Sequence, residues 1–364
     1  MQHCLQKELK LSLTQDSKTI KKISAILKKG DCIIVPTDTV YGLLCLATKE
    51  SLRKIQEIKK RPLNKPVAIY LSSKKKIKEV AYIKNCAEEK IIEKLMPGRI
   101  TLVLQKRKDF DYPWEKVGIR VPLSSWLRKL TQEVRMPLYA TSANISGKEM
   151  EEEEMVSFFK DKVSFIKKGK VYPVPSTVLE VADDKIVVKR EGVVSIWEIK
   201  RKTGEKVVYP ENYFPSLLVV CTGNTCRSPM AYGFFKKLLP KIKVETAGIR
   251  AFPGDSPSPN AVKVMEEKGI DIRRHLSKRI TEDKVKKSSL ILVMERMHYS
   301  YIIKKWEWAK SKTFMLHGFP FPYPKGKNIQ DPIGGSINFY RRIRNIIERC
   351  CIRVSEELQY VMNE

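Results

Sequence analysis

The chain has 364 residues, 42% of them hydrophobic and 9% aromatic, which excludes a disordered or low-complexity protein and suffices for two compact domains. Lys and Arg total 70 against 41 acidic residues, and the net charge of +29 is spread over both halves with no basic tail. That balance favours anionic partners such as nucleotides, phosphorylated proteins or RNA, and is equally what a Lys-rich proteome produces. No apolar run approaches the ~18 residues of a spanning helix. The opening MQHCLQKELK lacks the apolar core of a secretory signal, so the expectation is a cytoplasmic protein without membrane association. Eight cysteines without a CxxC pair, and four histidines (His3, His275, His298 and His317), argue against a disulfide scaffold and against a structural zinc site.

In chain order, short β-rich runs at 32–35, 67–71, 101–104, 117–121 and 186–188 alternate with amphipathic helical segments at 49–60 and 86–96, the pattern of an α/β domain. The charged runs 74–76 and 149–154 read as solvated faces. From Trp197 to Pro215 the sequence WEIKRKTGEKVVYPENYFP shows no useful helical or strand period, which places a linker at 203–215 between domains of residues 1–202 and 216–364. Beyond it LLVV (217–220) predicts a buried strand, followed by a polar loop and a helix from Pro229 through Leu238. Strands at 244–247 and 290–293 and helices at 260–267 and 338–358 continue a βαβ repetition, for which a doubly wound parallel sheet is the economical fold.

The N-terminal half carries no Walker A sequence and no GxGxxG. Polar clusters occur at strand ends: PTDTVYGL (36–43), KKRPLNKP (59–66), GIRVP (118–122), TSANISG (141–147), STV (176–178) and KREG (189–192). Singly, each serves as turn chemistry. Together they set Lys59, Arg61, Arg120 and Arg190 beside hydroxyl and amide donors, a set suited to a polyphosphate and a carboxylate, hence to an anionic small molecule or RNA. These six motifs, in this order, resemble the YrdC-like family of threonylcarbamoyl-AMP synthases. The resemblance implies a twisted mixed-sheet α/β domain that joins L-threonine, bicarbonate and ATP into threonylcarbamoyl-AMP and pyrophosphate, for the N6-threonylcarbamoyl modification of adenosine 37 in tRNA. It implies that Lys59, Arg61, Ser142, Asn144 and Arg190 contact ATP, and that Thr37, Tyr41, Arg120, Thr141 and Ser176 surround threonine and its carbamate. Mg²⁺ is the implied companion of the triphosphate, and a downstream tRNA threonylcarbamoyl transferase and tRNA are implied partners. Two features depart from the family: MPGRIT (96–101) stands for its WPGPLT, adding Arg99, and the His that many members place near Tyr70 is missing. A concave positive surface in the family leaves an RNA-binding module as the rival class.

In the C-terminal half, the loop from Cys221 through Ser228 lies between a predicted strand and a helix opened by Pro229. Such a loop aims backbone N–H groups and the positive end of a helix dipole at one point, a cradle for a phosphate dianion. Arg227 supplies a bidentate fork, and Cys221 at the base is expected to have a lowered pKa and attack phosphorus as a thiolate stabilised by Ser228. Gly223 and Asn224 suit the positive φ of a tight nest. Asp331, before Pro332, is the candidate acid for the leaving atom and base for water.

CTGNTCRSPMA (221–231), ETAGIRAFPGDSPSPNA (245–261) and DPIGGS (331–336) resemble the low-molecular-weight phosphatase family. The resemblance implies Cys221 as nucleophile, Arg227 as phosphate ligand, Asp331 as general acid, and Thr222, Gly223, Asn224, Thr225, Cys226 and Ser228 as the phosphate loop, with no metal. Thr225 stands where tyrosine-specific members carry a larger aliphatic residue, which resembles the protein arginine phosphatase branch; Ile333 departs from the Phe of that branch, and Phe252 sits at the family's aromatic wall. Phosphoarginine and phosphotyrosine both stay open as substrates. Arsenate reductases use further cysteines in mid-domain, and here Cys350 and Cys351 lie near the end. Cys226 is either a disulfide partner for Cys221 or a small buried residue.

Overall fold

A computed structural model describes residues 16–62, 64–145 and 150–362. His3, Cys4, Leu63 of KKRPLNKP, Ser146 and Gly147 of TSANISG, and Glu149 of the acidic run lie outside the described residues. The chain forms two units, the first ending at Val193 and taking in Lys202–Glu205, the second comprising Val194–Arg201 and the residues from Lys206 onward.

The first unit is built on a mixed sheet of β1 (Ile33–Pro36), β2 (Tyr41–Leu46), β3 (Ala68–Tyr70), β4 (Ile100–Gln105), β5 (Lys116–Arg120), β6 (Leu138–Ser142), β7 (Phe165–Ile166), β8 (Thr177–Ala182) and β9 (Lys185–Arg190). Their spatial order is β9-β8-β4-β5-β3-β6-β2-β1-β7. β1 and β2, β2 and β6, β3 and β6, β4 and β5, and β8 and β9 pair antiparallel, while β3 and β5, β4 and β8, and β1 and β7 run parallel. Ile20, Ile23 and Leu27 recur at helical spacing on the helix at 16–28, and Leu127, Leu130 and Val134 on Ser125–Val134. Both apolar stripes join Ile33, Val35, Leu44, Leu46, Leu138 and Ala140 of the sheet in one core. Thr48, Asn85 and Ser124 cap their helices by accepting a backbone N–H, so the polar residues at these helix starts have a local cause.

Of the run 149–154, Glu151 to Glu154 are exposed, and Glu152, Glu153 and Glu154 form the first turn of Glu152–Phe159, where the helix dipole favours acids, so they make the expected solvated helix face. One expectation needs correcting: the stretch after Trp197 is structured. Ile196–Thr203 is helical, with Ile196, Trp197 and Ile199 buried, and Val207–Val208 forms β10. Both pieces are too short for a period to emerge from among their charges. Within the second unit Trp197 meets Phe319 edge-on at 4.7 Å, and Tyr209 donates its backbone N–H to Val361 O at 2.8 Å.

The second unit centres on four parallel strands, β11 (Leu217–Cys221), β12 (Val244–Gly248), β13 (Leu290–Val293) and β14 (Thr313–Met315), in the order β12-β11-β13-β14. β11 is buried throughout, as a central strand covered on both faces should be. The helices Arg227–Leu238, Pro259–Glu266 and Ile337–Met362 pack on one another, and Arg296–Lys305 packs against β13 and β14. The order reverses beside β11, so its carboxyl end is the crevice where open α/β sheets take ligands.

Candidate active sites

Alternation along the strands decides the first site. Thr101 and Val103, Lys116, Gly118 and Arg120, and Ala140 and Ser142 each lie two residues apart, so they share a sheet face, and together they line a cavity of about 440 Å³. All ten residues singled out in this half, Thr37, Tyr41, Lys59, Arg61, Arg120, Thr141, Ser142, Asn144, Ser176 and Arg190, line it. Gly42, Ala68, Gly118 and Ala140 are among the lining residues, and a Cβ on Gly118 would meet Thr101 Cγ2 at 3.2 Å.

Lys59 closes the helix Lys49–Lys59, and Lys60 beyond it turns left-handed at φ 50°, ending the helix at the cavity. The Lys59 ammonium is buried and donates to Ser142 O and to Asn144 Oδ1 (3.1 Å). Burial, then the charges of Arg61 and Lys65, bring its pKa down to about 7. Arg120 donates from Nη1 to Thr39 Oγ1 (3.0 Å) and Tyr70 OH (3.1 Å), and from Nη2 to Asp38 Oδ1 (2.6 Å). Asp38 in turn accepts the Leu123 N–H at 2.8 Å. Arg190 reaches Ser176 O at 2.8 Å and Ser176 Oγ at 3.2 Å, and Ser176 meets Thr101 Oγ1 at 2.9 Å. Its side chain is exposed at the mouth, yet partial desolvation and then the Arg120 charge push its pKa down. The cations of this wall therefore repel one another, and among the described residues none that lines the cavity is Asp or Glu. That polarity suits a polyanion. Among the described residues no acidic, His or Cys cluster of metal-binding size occurs.

Tyr41 lines the cavity, and its hydroxyl accepts the Gly169 N–H (2.9 Å) and has two acceptors for its one proton, Glu152 Oε2 (2.5 Å) and Gly169 O (2.7 Å). Arg99, the departure in MPGRIT, donates to Asp38 O at 2.8 Å and stacks over Tyr172 at 4.7 Å, bracing the 37–40 turn. Tyr70 holds Arg120. Asp38, Thr39 and Tyr70 were not singled out. Asp38 and Thr39 stood inside a quoted motif, and what concealed them was that they act on Arg120, far away in sequence.

The second site is the loop from Cys221 to Ser228. Cys221 ends β11; its sulfur accepts the Asn224 N–H at 3.2 Å and lies 3.0 Å from Ser228 Oγ. Asn224 has φ 59°, as the nest requires, whereas Gly223 needs no positive φ. Asn224 is anchored by Nδ2 donating to Ser228 Oγ (2.7 Å), by Lys278 N–H donating to its Oδ1 (2.8 Å), and by contact of its carbonyl with His275 Nε2 (3.0 Å). A Cβ on Gly248 would strike Thr222 O at 2.4 Å, so only glycine lets β12 pass the loop. The expected lowering of the thiol pKa is not what the surroundings produce. Burial of Cys221 is the largest influence and pushes it up, against the downward pull of Arg227, Ser228 and Asn224.

Arg227 is buried. Nη1 donates to Glu295 Oε1 (2.6 Å) and Ile329 O (2.8 Å); Nη2 donates to Thr222 Oγ1 (3.2 Å) and to Asp331 Oδ2. Nε has no hydrogen-bond partner among the described residues. An unpaired buried guanidinium N–H beside a thiol is a donor suited to a phosphoryl oxygen. Cys221, Arg227 and Asp331 are thus gathered, with Thr225 half-buried in the loop and Phe252 and Ile333 exposed (78% and 68%). Cys226 is buried against Ser258 Oγ (3.3 Å) and Tyr340 OH (3.4 Å), and Cys350 and Cys351 are buried in the final helix. Glu295 and His298 were missed, though their spacing is that of a capping box, and both structural features are present.

Comparison with known proteins agrees with this division. Residues 25–192 match the Sua5/YciO/YrdC family model, described as telomere recombination, and residues 216–363 match the model for low molecular weight phosphotyrosine protein phosphatase. A Methanocaldococcus jannaschii protein named as a threonylcarbamoyl-AMP synthase is 39% identical over 197 residues, covering 50% of this chain and 91% of that protein. The protein-arginine-phosphatase of Geobacillus stearothermophilus is 38% identical over 144 residues (39% of this chain, 95% of that protein). The low molecular weight protein-tyrosine-phosphatase Ptp of Acinetobacter johnsonii is 37% identical over 137 residues (38% and 93%). The chain therefore belongs to the Sua5/YciO/YrdC family through its N-terminal part and to the low molecular weight phosphatase family through its C-terminal part.

Proposed function

We propose a bifunctional enzyme. Residues 1–202 make threonylcarbamoyl-AMP from L-threonine, bicarbonate and ATP for tRNA modification, residues 216–364 hydrolyse phosphoarginine on proteins, and 203–215 join them. The observation that carries the first activity is the gathering of Lys59, Arg61, Arg120 and Arg190 with Thr37, Ser142 and Ser176 around one cavity that has no carboxylate among its described lining residues. Lys59, Arg61 and Arg190 neutralise the triphosphate, so the carbamate oxygen of carboxylated threonine attacks the α-phosphorus and pyrophosphate departs. Arg120, held by Asp38, pairs with the threonine carboxylate. The product is the activated form that a tRNA threonylcarbamoyl transferase consumes, and the setting is cytoplasmic. Pyrophosphate release should require all three substrates together; release without threonine contradicts the reading.

The observation that carries the second activity is Cys221 in an N–H nest with Arg227 and Asp331 beside it. The Cys221 thiol gives its proton to solvent, the thiolate then forms an S–P bond as the P–N bond breaks, and Asp331 gives the leaving guanidine nitrogen its proton. Water then cleaves the S–P bond, returning its proton to Asp331 and releasing phosphate. Support for phosphoarginine is the short polar Thr225 in the phosphate loop. A phosphotyrosine reading is favoured by the exposed ring of Phe252. Turnover of phosphoarginine and phosphotyrosine peptides, repeated with Thr225→Ile, separates them. Phosphoarginine is expected to be preferred by the native chain, with the preference reversed by Thr225→Ile; an unchanged preference removes Thr225 from the account.

A further inference from the structure

The side chain of His298 is completely buried beside the phosphate loop, and none of the chemistry above employs it. Its Nδ1 accepts the Glu295 backbone N–H at 3.0 Å. A backbone N–H only donates, so Nδ1 is unprotonated and the ring proton sits on Nε2. Nε2 lies 2.9 Å from Thr222 Oγ1 and is therefore the donor in that bond. The same oxygen accepts Arg227 Nη2 at 3.2 Å, while Glu295, the residue whose N–H orients the ring, accepts Arg227 Nη1 through its carboxylate. One helix start, Glu295 to His298, thus holds both ends of the guanidinium, one end directly and the other through Thr222.

We propose that His298 is a positioning residue for phosphate binding: by donating to Thr222 it fixes the hydroxyl as an acceptor for Arg227, and so holds in place the guanidinium whose Nε N–H, without a partner among the described residues, is left to meet the phosphoryl group. The inference deepens the phosphatase reading and rests on it. Burial and the Arg227 charge bring the His298 pKa down to about 3, which keeps the ring in this neutral tautomer across the working pH range. A helix-capping role alone accounts for Nδ1 and leaves the bond from Nε2 to Thr222 without a purpose.

Thr222→Val keeps the shape of the side chain and removes the acceptor without touching the cap. His298→Leu removes donor and cap, and His298→Gln retains an acceptor for the Glu295 N–H and a donor for Thr222. Orthophosphate affinity by calorimetry, kcat and KM for p-nitrophenyl phosphate, and the thermal midpoint are measured on the full chain. Thr222→Val and His298→Leu are each expected to weaken orthophosphate binding and lower kcat by about tenfold. The double variant should fall no further, because both break one chain of contacts, and His298→Gln should recover most of the loss. Orthophosphate affinity and kcat unchanged in Thr222→Val, or losses that add in the double variant, overturn the positioning role. A native chain that binds no orthophosphate overturns the phosphatase reading itself.

Discussion

In the second unit a single loop, Cys221 to Ser228, supplies thiol, anion nest and guanidinium, and the surrounding helix starts only hold it in place. In the first unit the comparable charge comes from Lys59 at a helix end and from Arg120 and Arg190 on two separate strands, which line one cavity only in the folded sheet. A local site survives as long as its loop conformation survives. A dispersed site depends on partners that are remote in sequence, so its weakest points are the residues that brace it.

The largest effect expected from this difference is at Asp38. Its ion pair with Arg120 is closed off from solvent on both sides, at 4% and 5% side-chain exposure. Asp38→Ala leaves a buried guanidinium uncompensated and should cost about 3–5 kcal/mol of stability in the first unit, read from its denaturant transition. Activity in pyrophosphate release should fall with it. A loss of activity at full stability means that Asp38 meets substrate directly.

The same contrast explains what could be read in advance. The phosphate loop, its Asn224 conformation and its strand-loop-helix setting follow from neighbours in sequence, so residue order revealed them. The ten residues of the first site were found as members of separate motifs, and their meeting in one cavity depends on β5, β6 and β8 lying where only the folded sheet puts them. Asp38, Tyr70 and His298 escaped because each acts on an arginine far along the chain. The direction of the Cys221 shift was misjudged because dipole and charge are visible in a motif while burial is not.

A smaller effect sharpens the local side of the comparison. Ser228 is among the groups that pull the Cys221 pKa down against its burial, so Ser228→Ala should move the pH profile of Cys221 alkylation by iodoacetamide upward. An unmoved profile assigns the pull to Arg227 and the backbone alone.

The smallest effect belongs to Lys59. With a pKa of about 7 in the cavity, it is largely neutral at pH 8, and a bound triphosphate favours its charged form. The pKa rises on binding, so ATP should take up a fraction of a proton at pH 8 and almost none at pH 6, where Lys59 is already charged. Calorimetry in buffers of different ionisation enthalpy reads this uptake, and Lys59→Arg should abolish it. Equal uptake in the variant places the titrating group elsewhere.

The central claim is that one chain carries two separate active sites, each built to hold phosphate with arginine. The most direct measurement is a crossed assay on the full chain, comparing native protein, Arg190→Ala and Cys221→Ser for threonine- and bicarbonate-dependent pyrophosphate release and for phosphoarginine hydrolysis. Arg190→Ala is expected to lose the first activity by about 10²-fold and keep the second, and Cys221→Ser to lose the second by at least about 10³-fold and keep the first. Loss of both activities in either variant, or pyrophosphate release that ignores threonine, contradicts the account.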